Sequence, residues 1–386
     1  MQQLKNMSRV GIDIVLPVYW GNTACKRNWS VEGLKNLVQA YSRLEGQDYD
    51  LPKIGMFYDT SALESETSIG NWTNKPDLTT RSGKEFFYMM IRDFYSLIPS
   101  RMRARIEGEP IVWLYVSSYV SDYNQNTFQF VNHKFSEEFG GKDLYIVRES
   151  SWNVNTKNVY SWGAALQGPQ FDGVYAIGPG YDDSAVPDRD TPVRERRGGK
   201  YYRDSWKKLL ALTDKTDNHL IAIETWNEYH EGTEIAPSTE HGKKYLNITK
   251  EYVNKFKSGF VPDNYPGERL MKAERASIDF SSGNIKGTGI KYIECADGKN
   301  KVVEEDSSYC LKPSETEFPG KYMYFQVDPL FKKTKSSSEY KLKIEYYDSV
   351  QSKFRVQFDS QNYSGPHNGA YKSTDIINPL GTLTWR

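Results

Sequence analysis

The chain has 386 residues, in which 50 Lys and Arg are balanced by 50 Asp and Glu. This length exceeds that of an average domain and predicts two domains, or one barrel with an accessory module. The balanced charge excludes the large basic surface by which proteins bind nucleic acid or anionic membranes, and no run of about 18 apolar residues predicts a membrane span.

Apolar runs alternate with amphipathic helical segments over the first two thirds of the chain. The predicted strands are residues 11–18, 53–58, 111–116, 144–147, 159–163, 173–177 and 220–225. The predicted helices are residues 29–44, 83–98, 128–139, 202–212 and 242–256, after the end of a helix at 1–9. Strands and helices at this spacing predict a (β/α)8 TIM barrel with right-handed crossovers. Because the chain opens on a helix and shows seven strands rather than eight, we expect the first strand to lie upstream of Met1.

The sequence pattern changes after residue 260. A linker with several Pro and Gly residues comes first, and helical periodicity then disappears. The strand-like segments that follow are residues 276–280, 290–294, 322–327, 340–347 and 353–358. Their spacing, with Gly, Ser, Asn and Asp clusters between them, predicts an antiparallel β-sandwich. We therefore expect a barrel domain over residues 1–260 and a β-sandwich domain over residues 270–386.

Carboxylates and aromatic residues follow the last predicted barrel strand, where residues 224–232 read ETWNEYHEG. The carboxyl ends of barrel strands meet on one face, and ligands bind there. Cleavage of a glycosidic bond needs one carboxyl that donates a proton and a second group that acts as base, nucleophile or charge stabiliser. Glu228 and Glu231 are therefore the candidate catalytic pair. The alternative is that one of them caps the following helix and the other is solvated.

Similar side chains end the other predicted strands. The chain contains 28 Tyr and 9 Trp, more than a core alone requires, and their rings combine an apolar face with a polar tip that suits contact with sugars. Any one of these aromatics is more often a packing residue, but six at consecutive strand ends favour a carbohydrate cleft. The predicted substrate-binding residues are Tyr19, Trp20, Asp59, Arg148, Glu149, Trp152, Trp162, Tyr181, Asp182, Trp226, Asn227, Tyr229 and His230.

The metal-binding residue types are sparse. Cys25, Cys295 and Cys310 lack CxxC spacing, and the five histidines include no pair at the i, i+4 spacing of a helical zinc site. We therefore expect neither a metal nor a cofactor. For His230, which lies inside the motif, we expect a hydrogen bond to a sugar hydroxyl or a neighbouring carboxylate.

The segment WNEYHEGTEIAPS, residues 226–238, resembles the W-N-E-[WY]-x-E-G-T…P segment of the last barrel strand in the glycoside hydrolase family 71 and 99-like group. That group includes endo-α-mannosidases and domains of the WbsX type found among polysaccharide-synthesis proteins. Residues 11–21 resemble its second strand, and residues 178–183 resemble a segment before its last helix–strand unit. The likeness covers roughly residues 1–257.

The resemblance implies specific roles for the two glutamates. Glu228 would act as base on the sugar's own 2-hydroxyl, giving an anhydro intermediate, and Glu231 would act as general acid and then as base. The anomeric configuration would be retained. Tyr229 stands where many members have Trp. The second domain is similar to the jelly-roll, carbohydrate-binding-like modules attached to such barrels.

The sequence favours a glycoside hydrolase acting on a polysaccharide or glycan. Two alternatives stay open: a polysaccharide-assembly or glycosyltransferase-associated protein of the WbsX type, and a non-catalytic glycan-binding protein. No Gly-rich phosphate loop suggests a nucleotide-sugar donor, and the basic run at residues 194–197 is interpreted as a solvated loop. We expect a monomer that acts outside the cell or in the periplasm, although the first residues include no segment of signal-peptide type.

Overall fold

The chain divides into two compact units, Met1–Tyr265 and Pro266–Arg386. The computed structural model describes every residue except 22–27, 66–74, 190–192, 214–219, 264–266, 295–297, 315–320, 329, 332–340 and 359–371. Cys25 and Cys295 lie outside the described residues. No helix in the described ranges is long and apolar enough to cross a membrane.

The first unit alternates strands and helices. Its helices are α1 Gln2–Arg9, α2 Asn28–Leu44, α3 Ser61–Ser65, α4 Arg81–Leu97, α5 Gln125–Phe139, α6 Ala164–Gln167, α7 Lys200–Thr213 and α8 Lys244–Lys257. Its strands are β1 Ile14–Val15, β2 Val18–Tyr19, β3 Lys53–Ile54, β4 Met56–Tyr58, β5 Arg105–Ile106, β6 Glu109–Leu114, β7 Tyr145–Glu149, β8 Asn158–Tyr160, β9 Gln170–Asp172, β10 Val174–Ile177 and β11 Ile221–Ile223.

The long strand ladder of this unit is parallel and follows chain order. Strand β2 pairs with β4, β4 with β6, β6 with β7 and β7 with β8, all in parallel. Strands β10 and β11 form a second parallel pair, and β1 pairs in parallel with β3. Among the described strands of the unit, only the short β5 and β9 pair antiparallel, with β6 and β10. Neighbouring strands joined by helices are the arrangement of a (β/α)8 barrel, so the predicted fold class is confirmed.

The two faces of the parallel strands bury different cores. On one face Phe57, Trp113 and Val147 lie in register and line the barrel interior. On the other face Tyr58 and Leu114 pack against the helices, together with the apolar stripe of α4. Strands buried on both sides lack polar alternation, which is why they appear in the sequence as continuous apolar runs.

The second unit consists of a short helix and antiparallel strand pairs. Helix α9 spans Glu268–Lys272, and the strands are β12 Ser277–Asp279, β13 Lys286–Thr288, β14 Ile290–Ile293, β15 Asn300–Glu305, β16 Ser308–Pro313, β17 Tyr324–Val327, β18 Gln357–Phe358 and β19 Lys372–Ser373. The pairs are β12 with β13, β14 with β17, β15 with β16 and β18 with β19. The strand predicted at 340–347 is absent from its described residues 341–347, where Tyr347 makes an isolated bridge to Trp385. The unit is β-rich and antiparallel, and its assembly into a two-sheet sandwich stays a prediction.

Candidate active site at the carboxyl ends of the parallel strands

The carboxyl ends of the parallel strands present polar and aromatic side chains to the barrel interior. Side chains alternate between the two faces of a strand, so a residue two positions beyond an inward-facing residue also points inward. Phe57, Trp113 and Val147 form an inner layer, and this rule places three further inward-facing residues two positions nearer the carboxyl ends of the same strands. They are Asp59, Tyr115 and Glu149.

The environment of Tyr115 shows that carboxylates from different elements lie around one side chain. Burial raises the pKa of the Tyr115 hydroxyl, and the negative charges of Asp59, Glu231 and Glu149 raise it further. The ring of Tyr115 also contacts Trp162 edge to face, with ring centroids 5.5 Å apart. Two strand-end acids and one motif glutamate therefore lie near the Tyr115 hydroxyl.

Asp59 and Glu149 are held by hydrogen bonds from neighbouring groups. The indole Nε1 of Trp20 donates to Asp59 Oδ2. The hydroxyl of Ser150 donates to Glu149 Oε1 at 2.6 Å, and the backbone N–H of Ser151 donates to Glu149 Oε2 at 2.7 Å. Bonds to both oxygens fix the orientation of the nearly buried Glu149 carboxyl.

The motif forms a loop, residues 224–236, that folds back on itself after β11. The backbone N–H of Thr225 donates to the carbonyl of Thr233 at 3.1 Å, and their hydroxyls lie 2.8 Å apart. The N–H of Ala236 donates to the carbonyl of Trp226 at 2.9 Å. These bonds join the two ends of the loop and leave the residues between them at its tip.

The tip of this loop carries the candidate catalytic pair. Glu228 and Glu231 are half-buried, whereas Asn227, Tyr229 and His230 are exposed. A half-buried carboxyl is accessible to a ligand and still partly shielded from water, as a group that exchanges a proton with substrate must be.

Arg196 stabilises the loop through hydrogen bonds to Gly232 and Glu234. Its guanidinium donates to the carbonyl of Gly232 at 2.5 and 3.1 Å, to the carbonyl of Glu234 at 3.0 Å and to Glu234 Oε2 at 2.5 Å. It also lies 4.4 Å from the centre of the Tyr245 ring. The prediction of a solvated basic loop is therefore wrong at Arg196, because the loop carbonyls need a buried donor. It is also wrong at Arg194, which is half-buried and whose Nε donates to the carbonyl of Leu166 at 2.7 Å, whereas Arg197 is exposed.

Glu231 is paired with an arginine from the loop after β10. Arg189 Nη1 donates to Glu231 Oε1 at 2.6 Å and lies 3.4 Å from Asp183 Oδ2, which also accepts from the Tyr181 hydroxyl at 2.8 Å. The N–H of Asp182 donates to the Glu231 carbonyl at 2.9 Å. The hydrogen bond with Glu231 raises the pKa of Arg189. The pKa of Tyr181 is raised to about 12, mainly by burial and to a smaller extent by the hydrogen bond to Asp183. In this arrangement Glu231 Oε1 accepts a hydrogen bond from Arg189, which fixes the orientation of the carboxyl.

Glu224 is a buried carboxyl directly at the end of β11. Its Oε2 accepts from the backbone N–H groups of Gly163 at 3.1 Å and Ala165 at 3.3 Å, while Oε1 has no hydrogen-bond partner among the described residues. Burial raises the pKa of Glu224 to about 8, with a smaller contribution from the charge of Glu149. Glu224 is therefore mainly neutral near pH 7 and links the motif to the loop that carries Trp162.

Replacing Glu224 by Gln should make the stability of the protein less dependent on pH. Between its ordinary pKa of 4.5 and its folded-state pKa of about 8, Glu224 binds a proton in the folded state that it releases on unfolding. The free energy of unfolding therefore falls as pH rises through this window, by up to about 1.4 kcal/mol per pH unit. In E224Q this contribution is absent. The free energy of unfolding, measured by urea denaturation, should fall between about pH 5 and about pH 8 by roughly 2 kcal/mol or more in the wild type beyond any fall in E224Q.

The matched control for this prediction is the Glu240→Gln variant, whose glutamate side chain is 81% exposed. We expect the control to keep the wild-type pH dependence of the free energy of unfolding. Parallel pH curves for E224Q and the wild type would contradict the assignment of a proton to buried Glu224.

Three predicted substrate-binding residues lie away from the cleft. Tyr19 is in register with Tyr58 on the helix-facing side of the sheet and is buried there. Trp152 is completely buried, and its Nε1 donates to the carbonyl of Tyr115 at 2.5 Å. Arg148 alternates with inward-facing Glu149 and so points toward the helices. We leave these three residues out of the proposed site.

Of the remaining predicted residues, Trp20, Asp59, Glu149 and Trp162 lie at the strand ends around Tyr115. Trp162 packs against Phe57 with ring centroids 5.6 Å apart, and Trp226 is half-buried against the core. Tyr181 is half-buried and Asp182 is exposed.

Sequence reasoning did not select Tyr115, Arg189, Glu224 or Arg196 as site residues. Tyr115 and Glu224 directly follow strands, so a stricter use of the strand-end rule would have found both. Arg189 and Arg196 carry no local signal, because their partners lie 42 and 38 residues away in the chain.

No metal-binding arrangement is present in the part of the chain that the structure describes. None of its His, Cys, Asp and Glu side chains form a group of three or more that could hold a metal ion. The described cysteine, Cys310, is half-buried on β16 in the second unit and is free.

Comparisons with known proteins find a family model, a curated relative and similar solved structures. Residues 1–277 match a family model described as a domain of unknown function, DUF5010. A curated relative, the glycoprotein endo-alpha-1,2-mannosidase-like protein of Mus musculus, is 33% identical over 75 residues, which cover 18% of this chain and 16% of the relative. The chain thus matches a small part of that protein's length.

Similar solved structures include the GH99 endo-alpha-mannosidase from Bacteroides thetaiotaomicron, with 16% identity, a TM-score of 0.46 and coverage of 67% of this chain and 79% of that chain. Another is described as a glycoside hydrolase-like protein, with 15% identity, a TM-score of 0.49 and coverage of 65% of this chain and 84% of that chain. The resemblance to endo-α-mannosidase-like proteins that the sequence predicts is confirmed by the curated relative.

Proposed function

The chain belongs to the DUF5010 family, and we propose that it is a glycoside hydrolase that cleaves a glycosidic bond in a polysaccharide or glycan. One observation carries this proposal: a single braced loop carries two half-buried glutamates, Glu228 and Glu231, and Glu231 lies near the strand-end carboxyls around Tyr115. Paired carboxyls in different environments are what glycosidic bond cleavage requires.

We assign different roles to the two glutamates. Glu228 makes its described hydrogen bonds through its backbone, to the Thr225 hydroxyl and from the N–H of Thr233, so the proposed base is held without using its carboxyl. Glu231 is the proposed acid, which Arg189 holds in one orientation until substrate replaces the guanidinium. With Glu228 acting on the sugar's 2-hydroxyl and Glu231 returning as base, the anomeric configuration is retained.

A second candidate function is glycan binding without catalysis. The Arg189–Glu231 ion pair favours it, because Arg189 occupies a carboxyl oxygen of Glu231 that a substrate would otherwise contact. The aromatic side chains of the cleft would serve binding equally well.

A glycan panel with product analysis by NMR separates the two candidates. The name of the curated relative places α-mannosides first in the panel. We expect release of product with retained configuration. If the protein binds a glycan but never cleaves it, glycan binding without catalysis is its function and the hydrolase proposal is wrong.

Catalysis should persist after exhaustive treatment with EDTA. The proposed chemistry uses two carboxyls and a sugar hydroxyl, and proton transfer by side chains needs no Lewis acid. Activity should be measured before and after chelation, together with the melting temperature, which reports separately on folding. A reversible loss of activity that one divalent ion restores, at an unchanged melting temperature, would show that the mechanism is incomplete.

We further propose that residues 1–260 carry the catalytic activity and that residues 270–386 form a carbohydrate-binding-like module. Exposed aromatics on and beside β17 support the second assignment, since Tyr322 and Phe325 are 42% and 44% exposed and the rings of Tyr322 and Tyr324 stack 5.9 Å apart. The expected monomer and its place outside the cell or in the periplasm belong to the same proposal.

A further inference from the structure

Trp29, near the start of α2, exposes its indole ring. Its side chain is 53% exposed, and among the described tryptophans it alone is exposed. Its neighbours in the helix, Ser30, Val31 and Leu34, are buried and attach α2 to the core. A single exposed apolar residue is ordinary, so the contacts of Trp29 decide its meaning.

Trp29 contacts a tryptophan that already belongs to the cleft. The rings of Trp29 and Trp20 meet edge to face, with centroids 4.9 Å apart and planes inclined by 64°. Trp20 is fixed in turn, because its Nε1 donates to Asp59 Oδ2 and its backbone N–H lies 3.4 Å from the Ser30 hydroxyl. The exposed indole is thus connected through one ordered ring to the carboxyl at the end of β4.

The chemistry of this corner fits a neutral sugar ring. Two indoles at an angle offer apolar faces to the C–H face of a pyranose, and Asp59 offers acceptor lone pairs to its hydroxyls. The other Asp59 oxygen, Oδ1, accepts from the N–H of Ser61 at 3.0 Å and keeps the carboxyl in place. An anionic substituent would be repelled by the same carboxylate.

We propose that Trp29 and Trp20 form a subsite for a neutral pyranose of the glycan chain that is not the sugar being cleaved. The substrate is then a chain of several sugars rather than a single glycoside. This inference rests on the proposed hydrolase function and specifies its substrate class.

The test compares the wild type with W29A and W29F on substrates of increasing length. The probes are an aryl glycoside and the di-, tri- and tetrasaccharide of the sugar that the panel shows to be cleaved, with α-mannosides as first choice. For W29A we expect the loss in kcat/KM to grow with chain length and to be roughly tenfold larger for the tetrasaccharide than for the aryl glycoside, mainly through KM. W29F should recover part of that loss, because phenylalanine keeps an aromatic face.

The control is Phe260→Ala. Phe260 is 45% exposed and follows α8. The last residue of α8, Lys257, pairs with Asp13 just before β1, so this region lies at the end of the strands opposite to the cleft. This variant should match the wild type on every substrate. Melting temperatures of all variants report whether each is folded.

The outcomes separate the two proposals. A wild type that cleaves no glycan overturns the hydrolase and the subsite together. A wild type that cleaves oligosaccharides, with W29A losing nothing or losing equally at every length, overturns the subsite alone. A second readout is binding of the tetrasaccharide to E228Q and to E228Q/W29A by calorimetry, where equal dissociation constants would also overturn the subsite.

Discussion

Replacing Glu231 or Glu228 by Gln should reduce turnover by about 10²–10⁴-fold, the contribution typical of a general acid or base. The fold should be unaffected in both cases. The amide oxygen of the new side chain in E231Q can still accept from Arg189, and the bonds of Glu228 to Thr225 and Thr233 run through its backbone. Steady-state kinetics and melting temperatures on the same preparations measure the two effects separately.

Leaving-group dependence assigns the roles. A substrate whose leaving group needs no proton should partly rescue E231Q, whose missing function is protonation, and should leave E228Q impaired. Glu240→Gln, at an exposed glutamate outside the motif loop, is the matched control and should keep wild-type turnover. Near wild-type activity in either catalytic variant would remove that residue from the mechanism, and rescue of E228Q alone would reverse the assignment.

Replacing Arg196 by Met should destabilise the first unit by about 3–5 kcal/mol, as expected when one partner of a buried ion pair is removed. The side chains of Arg196 and Glu234 are 11% and 6% exposed. Without the guanidinium, the Glu234 carboxylate and the Gly232 carbonyl stay buried and lose their donors. Activity should fall with stability, because the same bonds hold the loop that carries both proposed catalytic glutamates. Urea denaturation measures the first effect and turnover under folding conditions measures the second.

Two comparisons make this prediction specific. The double variant R196M/E234M should recover part of the lost stability, because no unpaired charge is then left in the interior. Removing a surface pair should have a far smaller effect on the free energy of unfolding, and Arg101→Met provides this case, since Arg101 and Glu45 are 60% and 32% exposed. A loss in R196M no larger than that in R101M would show that the loop is held by other contacts.

The barrel was predictable because its elements carry strong local signals. Helix α4 was expected at 83–98 and spans Arg81–Leu97, since Thr80 caps its first turn, accepting from the N–H of Gly83 at 3.1 Å, and Pro99 stops it. The parallel order followed from apolar runs separated by helices. Within the predicted strand 11–18, Pro17 has no N–H for the ladder, and the structure accordingly shows two short strands, β1 and β2.

The hairpin of β15 and β16 escaped prediction for a physical reason. Its two turn residues, Asp306 and Ser307, both have positive φ, at 46° and 59°. Turns of this kind are signalled by Asn-Gly, Asp-Gly or Gly-Gly pairs, and here Asp306 is followed by Ser rather than by Gly. The strand at 340–347 was predicted from alternation alone, which does not require that a partner strand be available.

The aromatic side chains of the site show the limit of residue type as evidence. Trp152 and Trp162 follow neighbouring strands and look equivalent in the sequence, yet one is completely buried and the other is half-buried against the cleft residue Tyr115. Only the register and the turns decide which face each ring takes. Arg189 illustrates the same limit, since its partner Glu231 is brought close by the return of the chain through α7 and β11.

The closure of the motif loop constrains how this segment can change in evolution. Thr225 is hydrogen-bonded to Thr233, and Arg196 donates hydrogen bonds to Gly232 and Glu234. The segment between the two threonines therefore has a fixed length. Side chains at the exposed tip, such as Tyr229, can vary without disturbing those anchors. A single inserted or deleted residue would displace at least one of the two glutamates relative to these anchors. Homologous sequences should therefore tolerate substitutions here while keeping the number of residues between the two threonines constant.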